Sequence, residues 1–124
     1  MKYALLIYLP DDHEQRVGEA EDRAVMEKCV ELARATRKTG QYQGSARLSP
    51  TRNASCVRNQ AGKQFVTDGP FAETKEHMVG FYLIECASLE DAQAYARKHP
   101  AGEVGATIEI RPVMWADPAM TLQD

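Results

Sequence analysis

The sequence predicts a mixed α+β protein built around one antiparallel sheet. Two strongly apolar stretches, residues 2–9 and 78–86, have the pattern of buried strands, and two other stretches have helical spacing. The chain has 124 residues, the length of one domain. Hydrophobic residues make up 44% of it and charged residues 27%, which suits a single globular core and argues against a disordered or fibrous chain.

The first third of the chain predicts a strand, a helix and a weaker strand. Residues 2–9 are apolar on both alternating faces, which is typical of a strand that is covered on both sides. Across residues 22–39, apolar side chains recur at every third or fourth position, which predicts a helix. Gly40 can end that helix in the left-handed conformation. Residues 41–48 then predict a weak strand.

The rest of the chain predicts a hairpin, a strand, a helix and a last strand. Residues 54–58 and 63–67 are β-prone runs on either side of an Asn-Gln-Ala-Gly turn. Residues 78–86 form the second apolar strand, in which a glycine indicates a bulge or a close approach. Ser88 caps the second helix. Residues 106–112 alternate apolar and polar side chains, as a half-buried strand does.

This order of elements predicts a ferredoxin-like βαββαβ plan with an inserted β-hairpin. Two helices can cover only one face of such a sheet, yet the strands around Leu5 and Phe81 are apolar on both faces. A second copy of the chain would cover the other face, so we expect a homodimer whose sheets pack face to face. We assign residues 1–115 to one domain and residues 116–124 to a polar C-terminal tail.

Charge and cysteine content exclude several classes of protein. The net charge of −3 and the scattered basic residues disfavour binding to nucleic acid or to an acidic membrane surface. The longest apolar run, residues 4–9, is too short to span a bilayer, and the N-terminus lacks the features of a signal peptide. Three widely spaced cysteines argue against disulfides and against a metal site. We therefore expect a cytoplasmic protein without a bound metal.

The most unusual stretch is residues 66–77, where five ionisable side chains lie beside a Gly-Pro break. Such a loop can hold Asp68 rigidly at a strand end, as a general base or as a hydrogen-bond acceptor for a ligand. Glu73 and Glu76 could form a carboxylate pair with it, and His77 would form an acid–base pair with Asp68 if the two face each other. The alternative is a turn in which Asp68 caps backbone amides and the other charges are solvated.

Arg111 is the second candidate for ligand binding. It alternates with the apolar residues of the last strand and so projects, with Glu109, from the face that we assign to the dimer interior. A charge there needs a partner, which could be Glu109 or Asp68. Alternatively, the guanidinium binds a planar anion in a cleft walled by Tyr8 and Tyr82. Both tyrosines could equally be ordinary core residues.

The motif TDGPFAETKE, residues 67–76, resembles the signature of the DGPF-domain branch of the YCII-related proteins. Flanking blocks are also similar to that family: the opening strand at residues 1–8, GFYLI at residues 80–84 and IEIRPV at residues 108–113. The resemblance covers almost the whole chain. It implies a dimeric α+β barrel of ferredoxin-like protomers, in agreement with the argument from the sheet faces.

The resemblance implies less about function. Most members of the family have no assigned activity, although YCII relatives are suspected enzymes because a His in the first helix and an Asp form an acid–base pair. One relative has a dehalogenase-type role on a chlorinated hydroxyquinol. DGPF proteins often accompany extracytoplasmic-function sigma factors. Here residues 14–76 contain no His and Cys29 stands near the expected place, which argues against such a pair; we expect His13 to be exposed in a loop.

Two functions follow from the sequence. The first is cofactor-independent acid–base chemistry of the lyase or isomerase type on a small anionic or enolisable molecule. Asp68 and His77 would be catalytic, and the ligand would be bound by Arg111, Glu73, Tyr8 and Tyr82. The chain has no nucleotide-binding glycine loop or metal-ligand cluster, so we expect no cofactor. The alternative is a non-catalytic regulatory or interaction module linked to an extracytoplasmic-function sigma factor.

Overall fold

The computed structural model describes residues 1–117 of the chain. The main sheet consists of β1 (Lys2–Pro10), β2 (Tyr42–Arg47), β5 (Glu76–Glu85) and β6 (Thr107–Pro112). A separate two-stranded sheet consists of β3 (Ser55–Gln60) and β4 (Lys63–Asp68). The helices are α1 (His13–Arg16), α2 (Glu19–Arg37) and α3 (Leu89–Arg97), with 3₁₀ turns at Thr51–Asn53 and Pro100–Val104.

The main sheet has the strand order β2-β5-β1-β6, and each neighbouring pair is antiparallel. This mixed α+β arrangement is compatible with the ferredoxin-like plan that the sequence predicts. The hairpin lies between β2 and β5 in the chain, as expected, but it forms its own sheet instead of extending the main one. Residues 118–124, most of the predicted tail, lie outside the described residues.

One face of the main sheet forms the core with α2 and α3. Every second residue of β1 is buried on this face, because side chains alternate along a strand, and Leu5 is fully buried. Ile84 and Tyr95 are the other large side chains with almost no exposed surface. The hydroxyl groups of Tyr95 and Thr36 lie 3.0 Å apart and join α3 to α2 inside the core, where an unpaired hydroxyl would be costly.

The starts of α3 and α2 lie at or near the positions that the sequence predicts, whereas the short helix α1 was not predicted. Ser88 caps α3 by accepting a hydrogen bond from the Asp91 backbone N–H, as predicted. Helix α2 begins at Glu19, three residues before the predicted start, and ends at Arg37. The single turn α1 was not predicted, because four residues are too few to show a helical period.

The hairpin turn consists of Ala61 and Gly62, which have φ angles of 49° and 78°. Positive φ at both positions matches the right-handed twist of the two strands and sets their register. Three large apolar side chains of this hairpin, Val57, Phe65 and Val66, are exposed. The hairpin is therefore held mainly by its own backbone pairing.

The second face of the main sheet carries Leu6, Phe81 and Leu83. Leu6 of β1 pairs with Phe81 of β5, and Leu83 lies two residues further along β5 on the same face. Phe81 is 39% exposed. Helices α2 and α3 pack on the opposite face. The expectation that a second copy covers this apolar face stays a prediction.

Gly80 is the point of closest contact within the sheet. A Cβ atom at this position would lie 2.7 Å from the Ala46 carbonyl oxygen of β2. The pairing of β1 with β5 also shifts here, between Ile7 and Tyr8, so the predicted bulge and close approach both occur. As a result Val79 packs against the buried core and not, as the strict alternation predicts, beside Phe81.

We expect Gly80→Ala to destabilise the protein by about 2 kcal/mol, because the added methyl group must displace backbone and not a flexible side chain. Gly102→Ala is the matched control, since nothing lies within 4 Å of its Cβ position. Urea unfolding of both variants measures the difference. Equal midpoints for the two variants would contradict the close approach.

Candidate functional site

A groove of about 440 Å³ lies between α2 and β2, the edge strand of the main sheet. Each turn of α2 from Asp22 to Arg37 contributes a side chain to its wall. The floor comes from β1 and β5, through apolar residues that include Ile7, Leu9 and Val79. We call this cavity the α2 groove. Two other cavities within residues 1–117 have volumes of about 400 Å³ and 200 Å³.

Tyr82 and Cys29 face each other across the middle of the groove. The Tyr82 hydroxyl donates a hydrogen bond to the Cys29 carbonyl oxygen at 3.4 Å, and the ring of Tyr82 is buried. Burial raises the pKa of the Cys29 thiol. The thiol is therefore protonated at neutral pH and is a poor nucleophile.

Asp22, His13 and Arg47 meet at one end of the α2 groove. The Asp22 Oδ1 atom lies 3.0 Å from His13 Nε2 and 3.5 Å from Arg47 Nη2. The other carboxylate oxygen, Oδ2, has no hydrogen-bond partner within residues 1–117. The side chain of Asp22 is 28% exposed, so solvent or a ligand can reach it. One oxygen is thus anchored while the other is available.

Three different elements bring these side chains together. Asp22 lies in the first turn of α2, where the helix dipole favours a negative charge. His13 begins α1, which is tied to the turn at Thr51–Asn53 because Arg52 Nη1 donates to Glu14 Oε2 at 2.9 Å. Arg47 ends β2 and pairs with Gly80, on the face of the sheet that α2 covers.

The expectation for His13 is wrong. It is 8% exposed and not a surface residue, and it forms an imidazole–carboxylate pair with Asp22. The long helix contains no His, so the sequence gives no sign of a His–Asp pair there. A four-residue helix gives no periodic signal, so the pair was not visible from spacing.

The other end of the α2 groove is basic. Arg34 and Arg37 line it, and the Arg37 guanidinium lies 5.4 Å from the centroid of the Tyr42 ring in a cation–π contact. Tyr42 opens β2, so the antiparallel course of helix and strand puts the arginines at the end opposite Asp22. The groove therefore has an acid–base cluster at one end and positive charge at the other.

A smaller cavity of about 200 Å³ lies on the other side of Arg47. His13 and Arg47 line it together with His77, whose Nδ1 atom lies 3.5 Å from the Thr51 hydroxyl oxygen. The Nδ1 atom of His13 is buried and has no hydrogen-bond partner in the described chain. The structure thus places His77 in a cavity with His13.

Asp68 and Glu73 lie elsewhere, on and just after the hairpin. Both are exposed, and Asp68 ends β4 opposite Ser55. The loop after it is held by the Gly69 N–H, which donates to the Ala54 carbonyl oxygen at 2.7 Å. No hydrogen bond or ion pair within residues 1–117 joins Asp68 to His77 or to Arg111. Their predicted roles stay predictions.

Tyr8 and Arg111 project from the sheet face opposite the helices. The Tyr8 hydroxyl donates to Glu109 Oε1 at 3.3 Å. Desolvation and then the Glu109 carboxylate raise the pKa of Tyr8, while Arg111 acts in the opposite direction. Tyr82 lies on the other side of the sheet, within the core, so Tyr8 and Tyr82 do not share a wall.

Neither a metal-ligand cluster nor a membrane-spanning helix occurs within residues 1–117. No three His, Cys, Asp or Glu side chains in that range are grouped closely enough to hold a metal ion. No helix in it is long and apolar enough to cross a membrane.

Comparison with known proteins identifies the family. The family model of the YCII-related domain matches residues 1–116. The chain belongs to the YCII-related family. An uncharacterised protein of Rhizobium meliloti (strain 1021) is 40% identical over 114 residues, which are 91% of this chain and 92% of that protein. The similarity therefore extends along both chains, and it suggests no activity because the relative is itself uncharacterised.

One further buried group supports the floor of the groove in this YCII-related protein. The ring of His99 packs edge-on against Tyr82, with 4.5 Å between centroids, and its Nδ1 atom accepts a hydrogen bond from the Ala101 N–H. Burial lowers the pKa of His99 to about 4. Protonation would charge a buried ring and remove the acceptor that caps the turn Pro100–Val104.

We expect His99 to make the protein sensitive to mild acid. The folded state resists protonation of His99 down to about pH 4, whereas the unfolded state binds the proton near pH 6.5. Stability should therefore fall as the pH drops through this window, by roughly 2–3 kcal/mol. Urea unfolding at pH 7 and pH 4.5 measures the loss.

His99→Asn is the control for this effect. The Asn amide oxygen can still cap Pro100–Val104 but does not titrate. We expect a smaller stability loss between pH 7 and pH 4.5 in the variant than in the native protein. The same loss in both proteins would assign the acid sensitivity to other groups.

Proposed function

We propose that this YCII-related protein binds and converts a small anionic or enolisable molecule without a cofactor, by acid–base chemistry at the Asp22 end of the α2 groove. The proposal rests on the different contacts of the two carboxylate oxygens of Asp22. His13 and Arg47 hold one oxygen, and the other has no partner within residues 1–117. A held carboxylate at the mouth of an apolar groove is what a general base requires.

The chemistry is that of proton transfer at carbon. The free oxygen of Asp22 takes a proton from a carbon next to a carbonyl group. The electron pair of the C–H bond forms a C=C bond, and the π pair of the C=O bond moves onto oxygen to give an enolate. The Arg47 guanidinium, 3.5 Å from Asp22 Oδ1, has further N–H groups that can stabilise the resulting enolate. Returning the proton to a different atom completes an isomerisation. His13 is a positioning residue that fixes the carboxylate.

The sequence alone favours Asp68 and His77 for the same chemistry. Asp22 is better supported by the geometry, because it combines two fixed partners with a cavity. Asp68 is exposed at the end of a hairpin. The prediction for Asp68 can be tested beside Asp22 in one experiment, since both can be changed to Asn.

We further propose that the chain belongs to the DGPF branch, on the basis of its TDGPFAETKE motif, and that it forms a dimeric α+β barrel. The apolar sheet face around Leu6, Phe81 and Leu83 supports the dimer, because Phe81 is exposed on it. Glu109 already accepts a hydrogen bond from Tyr8 on this face. Partnered polar groups of this kind can be buried at an interface at lower cost than isolated charges.

The second candidate function is a regulatory module that docks on another protein. The exposed apolar side chains of the hairpin, Val57, Phe65 and Val66, favour it, together with Phe71 just beyond the hairpin. The resemblance to DGPF proteins suggests an extracytoplasmic-function sigma factor as the partner. Such a module needs no chemistry at Asp22, so the two candidates differ in the experiment that follows.

We expect the protein to accelerate exchange of the protons next to the carbonyl group of 4-phenylbutan-2-one with D₂O, followed by NMR. This ketone is uncharged, enolisable and largely apolar, so the Asp22 carboxylate does not repel it. Asp22→Asn should lower the rate by about 100-fold, because the general base is lost. Asp68→Asn should leave the rate within about twofold, and amide NMR spectra check that both variants are folded.

The opposite pattern is equally informative. A large loss in Asp68→Asn with little change in Asp22→Asn would move the chemistry to the hairpin loop. Exchange at the buffer rate with the native protein, together with no chemical-shift change at the α2 groove, would favour the regulatory module.

The proposed dimer can be tested separately from the chemistry. We expect the native protein to sediment as a dimer and Phe81→Arg to shift the monomer–dimer equilibrium towards monomer by at least about tenfold, because the charge would be buried at the interface. Leu89→Arg is the control, since Leu89 is similarly exposed but lies on α3, on the other side of the sheet. A dimer that survives Phe81→Arg would exclude this face as the interface.

A further inference from the structure

We propose that the ligand of the α2 groove is an amphipathic monocarboxylate whose apolar body lies along α2 and whose carboxylate binds Arg34. The inference rests on the proposed function, because it concerns the ligand of the same groove. It adds the shape of that ligand, the position of its charge and a residue that selects it.

The groove is long. It follows α2 from Asp22 to Arg34 and beyond, and their separation of twelve positions corresponds to about 18 Å along the helix axis. A compact molecule can touch one end only. A ligand that uses the whole groove must therefore be elongated.

The middle of the groove is apolar and partly uncovered. Met26 and Val30 line it and are 39% and 53% exposed. Cys29 and Ala33 complete this stretch of the helix face with small apolar surfaces. Exposed apolar side chains along a concave wall gain stability when an apolar ligand excludes water from them.

The charges fix the direction of the ligand. Of the side chains that line the groove within residues 1–117, Asp22 alone is acidic, and it lies at the far end. A carboxylate would be repelled there, and Arg47 is already engaged by Asp22. Arg34 is exposed and forms no hydrogen bond or ion pair within the described chain, so its planar fork can accept a carboxylate in two hydrogen bonds. Arg37 adds positive charge beside it.

The experiment compares octanoate with octan-1-ol, which have the same chain length and differ in charge. Titrations followed by amide chemical shifts should show octanoate binding at least about fivefold more tightly than the alcohol, with shifts along α2 and β2. Arg34→Gln should remove most of this difference and leave the affinity for octan-1-ol unchanged. Arg23→Gln is the matched control, because Arg23 is an exposed arginine of the same helix that does not line the groove.

Several results would overturn the inference. These are equal affinities for octanoate and octan-1-ol, no shifts in the groove up to the solubility of both probes, and an affinity for octanoate that depends on Arg47→Gln but not on Arg34→Gln. Asp22→Asn separates this inference from the proposed function. Octanoate binding that survives in Asp22→Asn while exchange of 4-phenylbutan-2-one is absent from the native protein would support the ligand class and reject the chemistry. Exchange without octanoate binding would support the chemistry and reject the ligand class.

Discussion

The close approach of the Ala46 carbonyl oxygen to Gly80 is the contact on which the candidate site depends. Because Gly80 has no side chain, β2 can pair with β5 at a point where a Cβ atom would lie 2.7 Å from that oxygen. The pairing puts Arg47, the last residue of β2, beside Gly80 and on the side of the sheet that faces α2. From there it reaches Asp22. A displaced β2 would separate the two charges and change the width of the groove.

Asp22 then joins three parts of the chain that are separate in sequence. It belongs to α2, it contacts His13 from the turn before that helix, and it contacts Arg47 from the edge strand. A carboxylate with two such partners loses little freedom when it reacts, because its orientation is already set. The same arrangement separates the α2 groove from the smaller cavity beside His77, since Arg47 lines both.

The two faces of the main sheet belong to different surfaces of the protein. One face forms the core and the floor of the groove through residues such as Leu5, Ile84 and Tyr82. The other carries an apolar patch around Phe81 and the Tyr8–Glu109 hydrogen bond. Strand alternation assigns each side chain to one of these faces, so Tyr8 and Tyr82, although both lie on central strands, take part in different surfaces.

The sequence by itself determined the class of the fold, its element order and most of its boundaries, because periodicity, glycine, proline and capping residues act over a few positions. Ser88, Gly80 and the hairpin turn are all of this kind. Only the tertiary structure decided that His13 pairs with Asp22, and that Asp68 lines neither the α2 groove nor the smaller cavity beside His77. Those facts depend on how α1, α2 and β2 pack and on a hairpin that leaves the main sheet. Contacts between elements distant in the chain have no period and no local signal, and so they could not be derived from the order of residues.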